Sequence, residues 1–277
     1  MKSLTLKLLM IGLSSSILFA GTIEDKLLNF LTKTVKATKS YKIKNIRLDG
    51  SEDMKEIPGW KVYFVKIDLD LVGKDKSITI SDKIFTNGVL VSRDFLSIDN
   101  ARSVKSNFVP DFKDEFYNKE NIIAGNEDAT NKLVVFSDPL CPFCMSFMPD
   151  IINFVKAHPE QFVLYYYHFP LNIHPNSETL IKASLVAKNQ GMKDVDIKVY
   201  EEAFDFDEKN EAKALEAFNK ALGTQITLEE INQLDIKKKI EDDMKIVNEL
   251  GLNGTPRLFT NGKIDNHRTM YKQLLKK

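Results

Sequence analysis

The chain has 277 residues, of which 43% are hydrophobic and 28% charged, a composition typical of globular proteins rather than disordered or fibrous ones. Lys plus Arg number 39 and Asp plus Glu number 39, so the formal net charge is zero. No strong overall field therefore draws the chain to an anionic polymer or membrane, and nucleic acid is not expected among its partners.

Residues 1–20 have the pattern of a targeting segment. Lys2 and Lys7 give a positive start, the run from Leu8 to Ala20 is largely apolar, and Ala20 and Gly21 are small enough for cleavage. This predicts a secretory signal peptide over 1–20, and therefore an oxidising destination. An uncleaved anchor is the alternative, but the run is shorter than the roughly 20 apolar residues that a spanning helix needs. No later segment looks apolar enough to span a membrane.

Residues 21–103 are predicted to form a small α+β domain. Apolar residues at helical spacing indicate an amphipathic helix over Thr22 to Ala37. Asn87-Gly88 between two apolar runs is a hairpin signal. The segments with strand character are Tyr41 to Leu48, Trp60 to Val72, Ser77 to Phe85 and Val89 to Ser92.

Residues 104–129 are more polar and are predicted to be a linker, with a helix over Phe112 to Asn121. The alternative is that this stretch simply packs along the second domain.

Residues 130–277 are predicted to form an α/β domain. Leu133 to Phe136 is a continuous apolar run that fits a strand buried on both faces. A helix then ends at His158-Pro159 and a strand follows over Gln161 to Phe169, which implies a parallel pair with a right-handed crossover. Residues from about 176 to 250 are mostly helical by pattern, and a strand at Arg257 to Phe259 and a helix from about Thr269 end the chain.

The chain contains two cysteines, Cys141 and Cys144, separated by Pro142 and Phe143. Cys141 lies where the buried strand turns into the helix, and proline suits the first helical position because its missing N–H would be unpaired there anyway. A thiolate at a helix N-terminus is stabilised by backbone N–H groups and by the dipole, which lowers its pKa. The pattern predicts that Cys141 attacks a disulfide or receives a thiol, and that Cys144 resolves the mixed disulfide.

Zinc is the main alternative for a Cys-x-x-Cys pair, and no metal is expected. The chain has no second cysteine pair, and its four histidines, His158, His168, His174 and His267, are scattered. A chance pair in a buried core fits poorly with the strand–turn–helix context.

The segment from Phe136 to Cys144 resembles the active site of bacterial periplasmic Dsb proteins, of the thioredoxin superfamily, and particularly the dimeric DsbC and DsbG group. Gly254-Thr255-Pro256, before a strand, resembles the cis-proline loop of that family. The resemblance implies a thioredoxin-like domain with a helical insertion, preceded by a dimerisation domain and a linker. It also implies that Thr255 and Pro256 contact the substrate, while His168 and His174 are interpreted as structural.

One position departs from the pattern. Thioredoxin has a buried carboxylate six residues before its first cysteine, where this chain has Val135. Asp138 is closer to the turn and could move protons, water could do so, or Asp138 could cap the turn. Pro142, Phe143 and Asp138 are therefore predicted to tune the site.

The direction of electron flow is open at this stage, because fold does not determine it. Pro-Phe places no positive histidine beside Cys141, which predicts a less depressed pKa and a less oxidising disulfide. Thr255 also resembles the isomerase group. Disulfide isomerase or reductase is therefore expected over a DsbA-like oxidase, with a holdase chaperone or a cytochrome-maturation reductase as further alternatives.

The same resemblance implies the surroundings in which the protein works. Its expected location is the periplasm, its expected substrates are exported proteins, and a membrane thiol-redox protein is expected to exchange electrons with it. A homodimer is expected, and no cofactor beyond the redox-active disulfide Cys141–Cys144.

Overall fold

The computed structural model describes residues 21–35, 39–204, 206 and 208–276. The predicted signal peptide lies outside these residues. Within the described ranges no helix combines the length and the apolar character needed to cross a membrane.

In the described ranges, the N-terminal part consists of one helix and a four-stranded sheet in the order β1-β2-β3-β4. Helix α1 (Ile23–Thr34) begins with a capping box between Thr22 and Asp25 and buries Leu27 and Leu31. The strands are β1 (Tyr41–Asp53), β2 (Lys61–Leu71), β3 (Ser77–Thr86) and β4 (Val91–Ser92), all paired antiparallel. The predicted helix, strands and hairpin after β3 are confirmed, although β1 extends beyond Leu48 through a bulge between Leu48 and Ser51.

The C-terminal part is built on a five-stranded sheet in the order β5-β7-β6-β8-β9. Its strands are β5 (Ile122–Gly125), β6 (Asn131–Ser137), β7 (Phe162–His168), β8 (Arg257–Thr260) and β9 (Lys263–Ile264). As predicted, β6 and β7 are parallel, and helix α2 (Pro142–Ala157) connects them. The other pairs are antiparallel.

Among the residues that the structure describes, five helices lie between β7 and β8, within the predicted helical stretch. They are α3 (Ser177–Asn189), α4 (Val195–Glu201), α5 (Glu211–Leu222), α6 (Leu228–Ile231) and α7 (Leu234–Leu250). A one-turn helix, α8 (Met270–Gln273), follows the last strand. Successive residues of β6 enter opposite cores: Val135 packs with α2 and α3, and Phe136 packs with α7. This explains the continuous apolar run in the sequence.

Residues 104–129 differ from the predicted linker. In place of a helix over Phe112 to Asn121 there are short 3-10 turns at Asp114–Phe116 and Lys119–Asn121, followed by strand β5. Phe112 and Phe116 are buried against the sheet. The segment packs along the C-terminal part because its aromatic side chains cover an apolar face of the sheet that α7 leaves open.

Gly125 shows how closely this segment approaches the sheet. It has φ +81°, and a Cβ there would lie 2.0 Å from the carbonyl oxygen of Phe162 on β7. No side chain fits at that distance, so glycine is required where β5 joins β7.

Candidate active site

Cys141 and Cys144 lie at the turn between β6 and α2. Cys141 is the N-cap of α2 and Pro142 follows at its first position, as predicted. Both cysteines are free thiols, with exposed fractions of 4% and 0% respectively. Phe143 is 72% exposed, so its ring projects from the surface beside Cys141.

The two thiols have opposite acidities. The hydrogen bond from Cys144 lowers the pKa of Cys141 to about 5, against the effect of burial, and Thr255 and the backbone N–H groups of Cys144 and Phe143 add to the lowering. Burial raises the pKa of Cys144 far above its usual value, and its hydrogen bond to Cys141 raises it further. At neutral pH the pair therefore holds one thiolate, at Cys141, and one thiol, at Cys144.

The Thr255–Pro256 peptide bond is cis and faces the cysteines. The Cys141 sulfur lies 3.6 Å from the Thr255 carbonyl oxygen, and it donates to this oxygen when it is protonated. Thr255 Oγ1 is buried and has no hydrogen-bond partner among the described residues. Because the Thr255 side chain lowers the pKa of both sulfurs, it favours whichever of them is ionised.

Asp138 is fully buried and caps the turn. One carboxylate oxygen accepts from the Leu140 N–H at 2.8 Å and the Ser177 hydroxyl at 2.7 Å. The other accepts from the Leu171 N–H at 2.7 Å and from His174 Nδ1 at 2.9 Å. The side chain therefore holds the active-site turn against the segment after β7, which is the capping alternative among the roles that the sequence left open.

His168 and His174 are both held by buried carboxylates, in agreement with their structural interpretation. His174 belongs to the Asp138 cluster, and His168 contacts Asp243 through Nδ1 at 2.7 Å. Burial raises the pKa of Asp243, but the hydrogen bond from His168 and the charge of Lys239 keep it below its usual value. Among the described residues no group of three or more His, Cys, Asp or Glu is placed to hold a metal ion.

Three buried hydroxyls beside Cys144 were missed by the sequence analysis. Ser137 ends β6, and its side chain favours the thiolate of Cys144. Tyr200 on α4 donates to Ser137 Oγ at 2.7 Å and lies 2.7 Å from the hydroxyl of Tyr166 on β7. The sequence carried no signal for this contact, because Ser137 and Tyr200 are distant in the chain and α4 was not predicted as a separate helix.

The fold and the thiol pair define a thioredoxin-like protein. The family model described as "Thioredoxin" matches residues 117–276, so the chain belongs to the thioredoxin family. It is similar to a thioredoxin-like oxidoreductase from Silicibacter pomeroyi, with 21% identity, a TM-score of 0.50, and coverage of 59% of this chain and 95% of that one. It is also similar to ScsC of Proteus mirabilis, with 23% identity, a TM-score of 0.46, and coverage of 58% and 72%.

A curated relative is much longer. The Na(+)/H(+) antiporter NhaA 1 of Mycolicibacterium vanbaalenii is 31% identical to this chain over 150 residues. That match covers 50% of this chain but spans only 23% of the antiporter's length.

Proposed function

We propose that this chain is a thiol–disulfide oxidoreductase in which Cys141 is the nucleophile and Cys144 the resolving thiol. The opposite acidities of the two cysteines are the observation that supports this most. A pKa of about 5 keeps Cys141 ionised at neutral pH, while burial keeps Cys144 protonated until it is needed. Only the thiolate form attacks a disulfide, so the pair has a built-in order of reaction.

In the reductive direction, the Cys141 thiolate attacks a disulfide of the client. One client sulfur leaves as a thiolate, and the other stays bonded to Cys141 as a mixed disulfide. Cys144 then attacks Cys141, which forms the Cys141–Cys144 disulfide and releases the second client sulfur. An isomerase omits the last step when a client thiol attacks the mixed disulfide instead. The redox-active disulfide is the only redox group that this scheme needs.

The surroundings of Cys141 fit an extended client. The cis peptide at Thr255–Pro256 lies beside the sulfur, and the exposed Phe143 offers an apolar contact at the rim. We propose that clients bind along Thr255 and Pro256. The Dsb resemblance supports exported proteins as the clients, the periplasm as the location and a membrane thiol-redox protein as the partner.

Isomerase or reductase is the activity we propose first, because Thr255 resembles the isomerase group. One observation favours an oxidase as the second candidate. The pKa of Cys141 is about 5, which is lower than the absence of a histidine at the Pro-Phe dipeptide led us to expect. A more stable thiolate stabilises the reduced form and makes the disulfide more oxidising.

The N-terminal part is proposed as a dimerisation domain, on the strength of the resemblance and of its surface. Four apolar side chains after β3 are 60–99% exposed: Val89, Leu90, Leu96 and Ile98. Such residues in one region are typical of a binding surface. The proposal does not include a helical linker like that of the DsbC group, because residues 109–125 form short turns and a strand that pack on the C-terminal sheet instead. Light scattering of the mature protein should give a dimer mass, and a monomer mass would remove this part of the proposal.

Two cysteine variants test the activity. Cys141→Ser should reduce the rate of client disulfide reduction to the uncatalysed background, because no other thiolate is present. Cys144→Ser should still attack and should accumulate as a mixed disulfide with the client, detectable by mass. If Cys141→Ser prevents client aggregation as well as the wild type does, and the wild type shows no disulfide exchange, a holdase chaperone would be favoured instead.

The redox state of the pair in intact cells tests the direction, by acid quenching and thiol alkylation. Mostly reduced thiols are expected for an isomerase or reductase that a membrane donor keeps ready. A mostly oxidised pair would contradict this and support the oxidase.

A further inference from the structure

A chain of three buried hydroxyls leads away from Cys144. Ser137 lies beside the Cys144 sulfur, Tyr200 donates to Ser137 at 2.7 Å, and Tyr166 lies 2.7 Å from Tyr200. Ser137, Tyr200 and Tyr166 are 0%, 2% and 6% exposed. These side chains come from β6, α4 and β7, so the fold brings together three elements that are separate in the sequence.

Cys144 must be deprotonated during the reaction. It must lose this proton to attack the mixed disulfide, yet its sulfur is fully buried and burial raises its pKa. Asp138 is the buried carboxylate nearest in sequence, but its two oxygens already accept four hydrogen bonds. Of the two hydroxyls that favour the Cys144 thiolate, that of Thr255 has no further partner among the described residues. The hydroxyl of Ser137 continues into the tyrosines.

The hydrogen bonds in the chain have a direction. A tyrosine hydroxyl has one proton, and Tyr200 donates its proton to Ser137. Tyr166 is therefore the donor to Tyr200, and the Ser137 proton is left to face Cys144. Each hydroxyl accepts on one side as it donates on the other, so rotation of all three reverses the direction and lets a proton move either way.

The hydroxyl chain ends at Tyr166, whose side chain is buried. Tyr166 lines a pocket of about 350 Å³ between α3, α4, α7 and the turn before β5. Two buried polar atoms of residues lining it, Asn121 Oδ1 and Ser184 Oγ, have no hydrogen-bond partner among the described residues. The charged groups facing the tyrosines are Asp196 and Asp138. The pocket also contains the titratable or charged side chains of Glu120, His168, Lys188, Asp235 and Lys239.

We propose that Ser137, Tyr200 and Tyr166 form a proton relay between Cys144 and water in this pocket. The inference rests on the proposed thiol–disulfide exchange. When the Cys144 sulfur attacks Cys141, its proton passes to Ser137, a proton of Ser137 passes to Tyr200, one of Tyr200 passes to Tyr166, and one of Tyr166 passes to water. The Cys141–Cys144 bond forms, the bond from Cys141 to the client sulfur breaks, and the client sulfur leaves with the electron pair. Reduction of the Cys141–Cys144 disulfide returns the proton along the same chain.

Ser137 is the residue of the hydroxyl chain that acts on the Cys144 sulfur directly, whereas Tyr200 and Tyr166 act through Ser137 and are positioning residues. The test separates the two chemical steps in one reaction. The reduced protein is mixed with a small aromatic disulfide that releases a coloured thiolate, and colour is followed by stopped flow. Attack by Cys141 releases the first thiolate, and attack by Cys144 on the mixed disulfide releases the second. The two phases are measured across a range of pH.

Tyr200→Phe and Tyr166→Phe each remove one hydroxyl from the chain and leave the ring in place. We expect each to slow the second phase by about tenfold, a modest share of what positioned proton transfer contributes, and to move its pH midpoint upward. The first phase should not change, because Cys141 is already ionised. The matched control is Tyr167→Phe, since the Tyr167 hydroxyl is also buried and donates to the Phe116 carbonyl on the opposite face of β7.

A second phase with wild-type rate and pH profile in Tyr200→Phe and Tyr166→Phe would overturn the relay. So would an equal slowing of both phases in all three variants, because that indicates a general effect of losing a buried hydroxyl. If the wild type releases no thiolate in the first phase, the proposed function itself fails and the relay fails with it.

Discussion

The two sheets of this molecule differ in how far their strands are buried. In the C-terminal sheet, every residue of β7 is buried, and β6 is buried except at Lys132. In the N-terminal sheet, β1 has no buried residue along its whole length. The cysteines, their partners and the hydroxyl chain all belong to the C-terminal part. The comparison indicates that the chemistry is supported by strands whose side chains are almost all buried, whereas β1 of the N-terminal sheet is open to solvent.

The contact between the regions is polar. Ser81 on β3 donates to the carbonyl oxygen of Asn248 at 2.6 Å, and Lys83 donates to that of Gly251 at 3.3 Å. Lys66 on β2 donates to the carbonyl of Glu249. These carbonyls are at or just beyond the C-terminal end of α7, where a helix dipole favours positive charge. The N-terminal sheet is thus attached within a few residues of the loop that carries Thr255 and Pro256.

The largest effect on stability is expected in the C-terminal part, from Asp138→Ala. This change leaves four donors around the active-site turn without their acceptor, and should lower the free energy of unfolding by about 3–5 kcal/mol. Urea denaturation measures it, with Asp150→Ala on the exposed face of α2 as the control. A loss below about 1 kcal/mol would show that the turn does not depend on this carboxylate.

A somewhat smaller effect on stability is expected in the N-terminal part, from Leu27→Ala. Leu27 is 2% exposed in the core under the N-terminal sheet. The cavity should cost about 2–4 kcal/mol in the unfolding of this region. The pKa of Cys141 should remain unchanged, because no residue of α1 reaches the site. Urea denaturation and thiol alkylation measure the two quantities, with the exposed Asn29→Ala as the control. A shifted pKa would show that the regions are not independent.

The smallest effect concerns the contact between the regions. Burial lowers the pKa of Lys83 from 10.5 to about 8. Between these two values the unfolded chain binds more protons than the folded protein, so this group should make stability rise with pH. In Lys83→Met the rise from pH 8 to pH 10.5 should be weaker by about 2–3 kcal/mol, as measured by urea denaturation at several pH values. Lys42→Met, exposed on β1, should keep the wild-type rise. An equal rise in both variants would mean that Lys83 stays charged in the contact.

Local sequence determined much of what could be predicted. Cys141, Pro142 and the apolar run of β6 are neighbours in the chain, and their order alone indicates a strand, a turn and a capped helix. Pro256 was identifiable because the resemblance supplied its place in the fold, and the cis bond confirms that part of the expectation.

Contacts between distant segments could not be predicted in the same way. The Ser137–Tyr200 bond depends on where α4 packs, and α4 is a short helix with no strong periodicity. Similarly, a helix was predicted over Phe112 to Asn121, whereas Phe112 and Phe116 pack against the sheet and the segment forms only short 3-10 turns. The role of Asp138 became clear only when Leu171, His174 and Ser177 were placed beside it.

The central claim is that Cys141 is the ionised nucleophile of the pair, and its titration in the reduced protein tests this most directly. The rate of alkylation of Cys141 is measured against pH, with mass analysis to identify the labelled cysteine. Because the thiolate is the reacting form, we expect a midpoint near pH 5, a constant rate above it and a falling rate below it, with Cys144 unlabelled throughout. A midpoint near the ordinary thiol value of about 8.5, or faster labelling of Cys144, would contradict the proposed order of reaction.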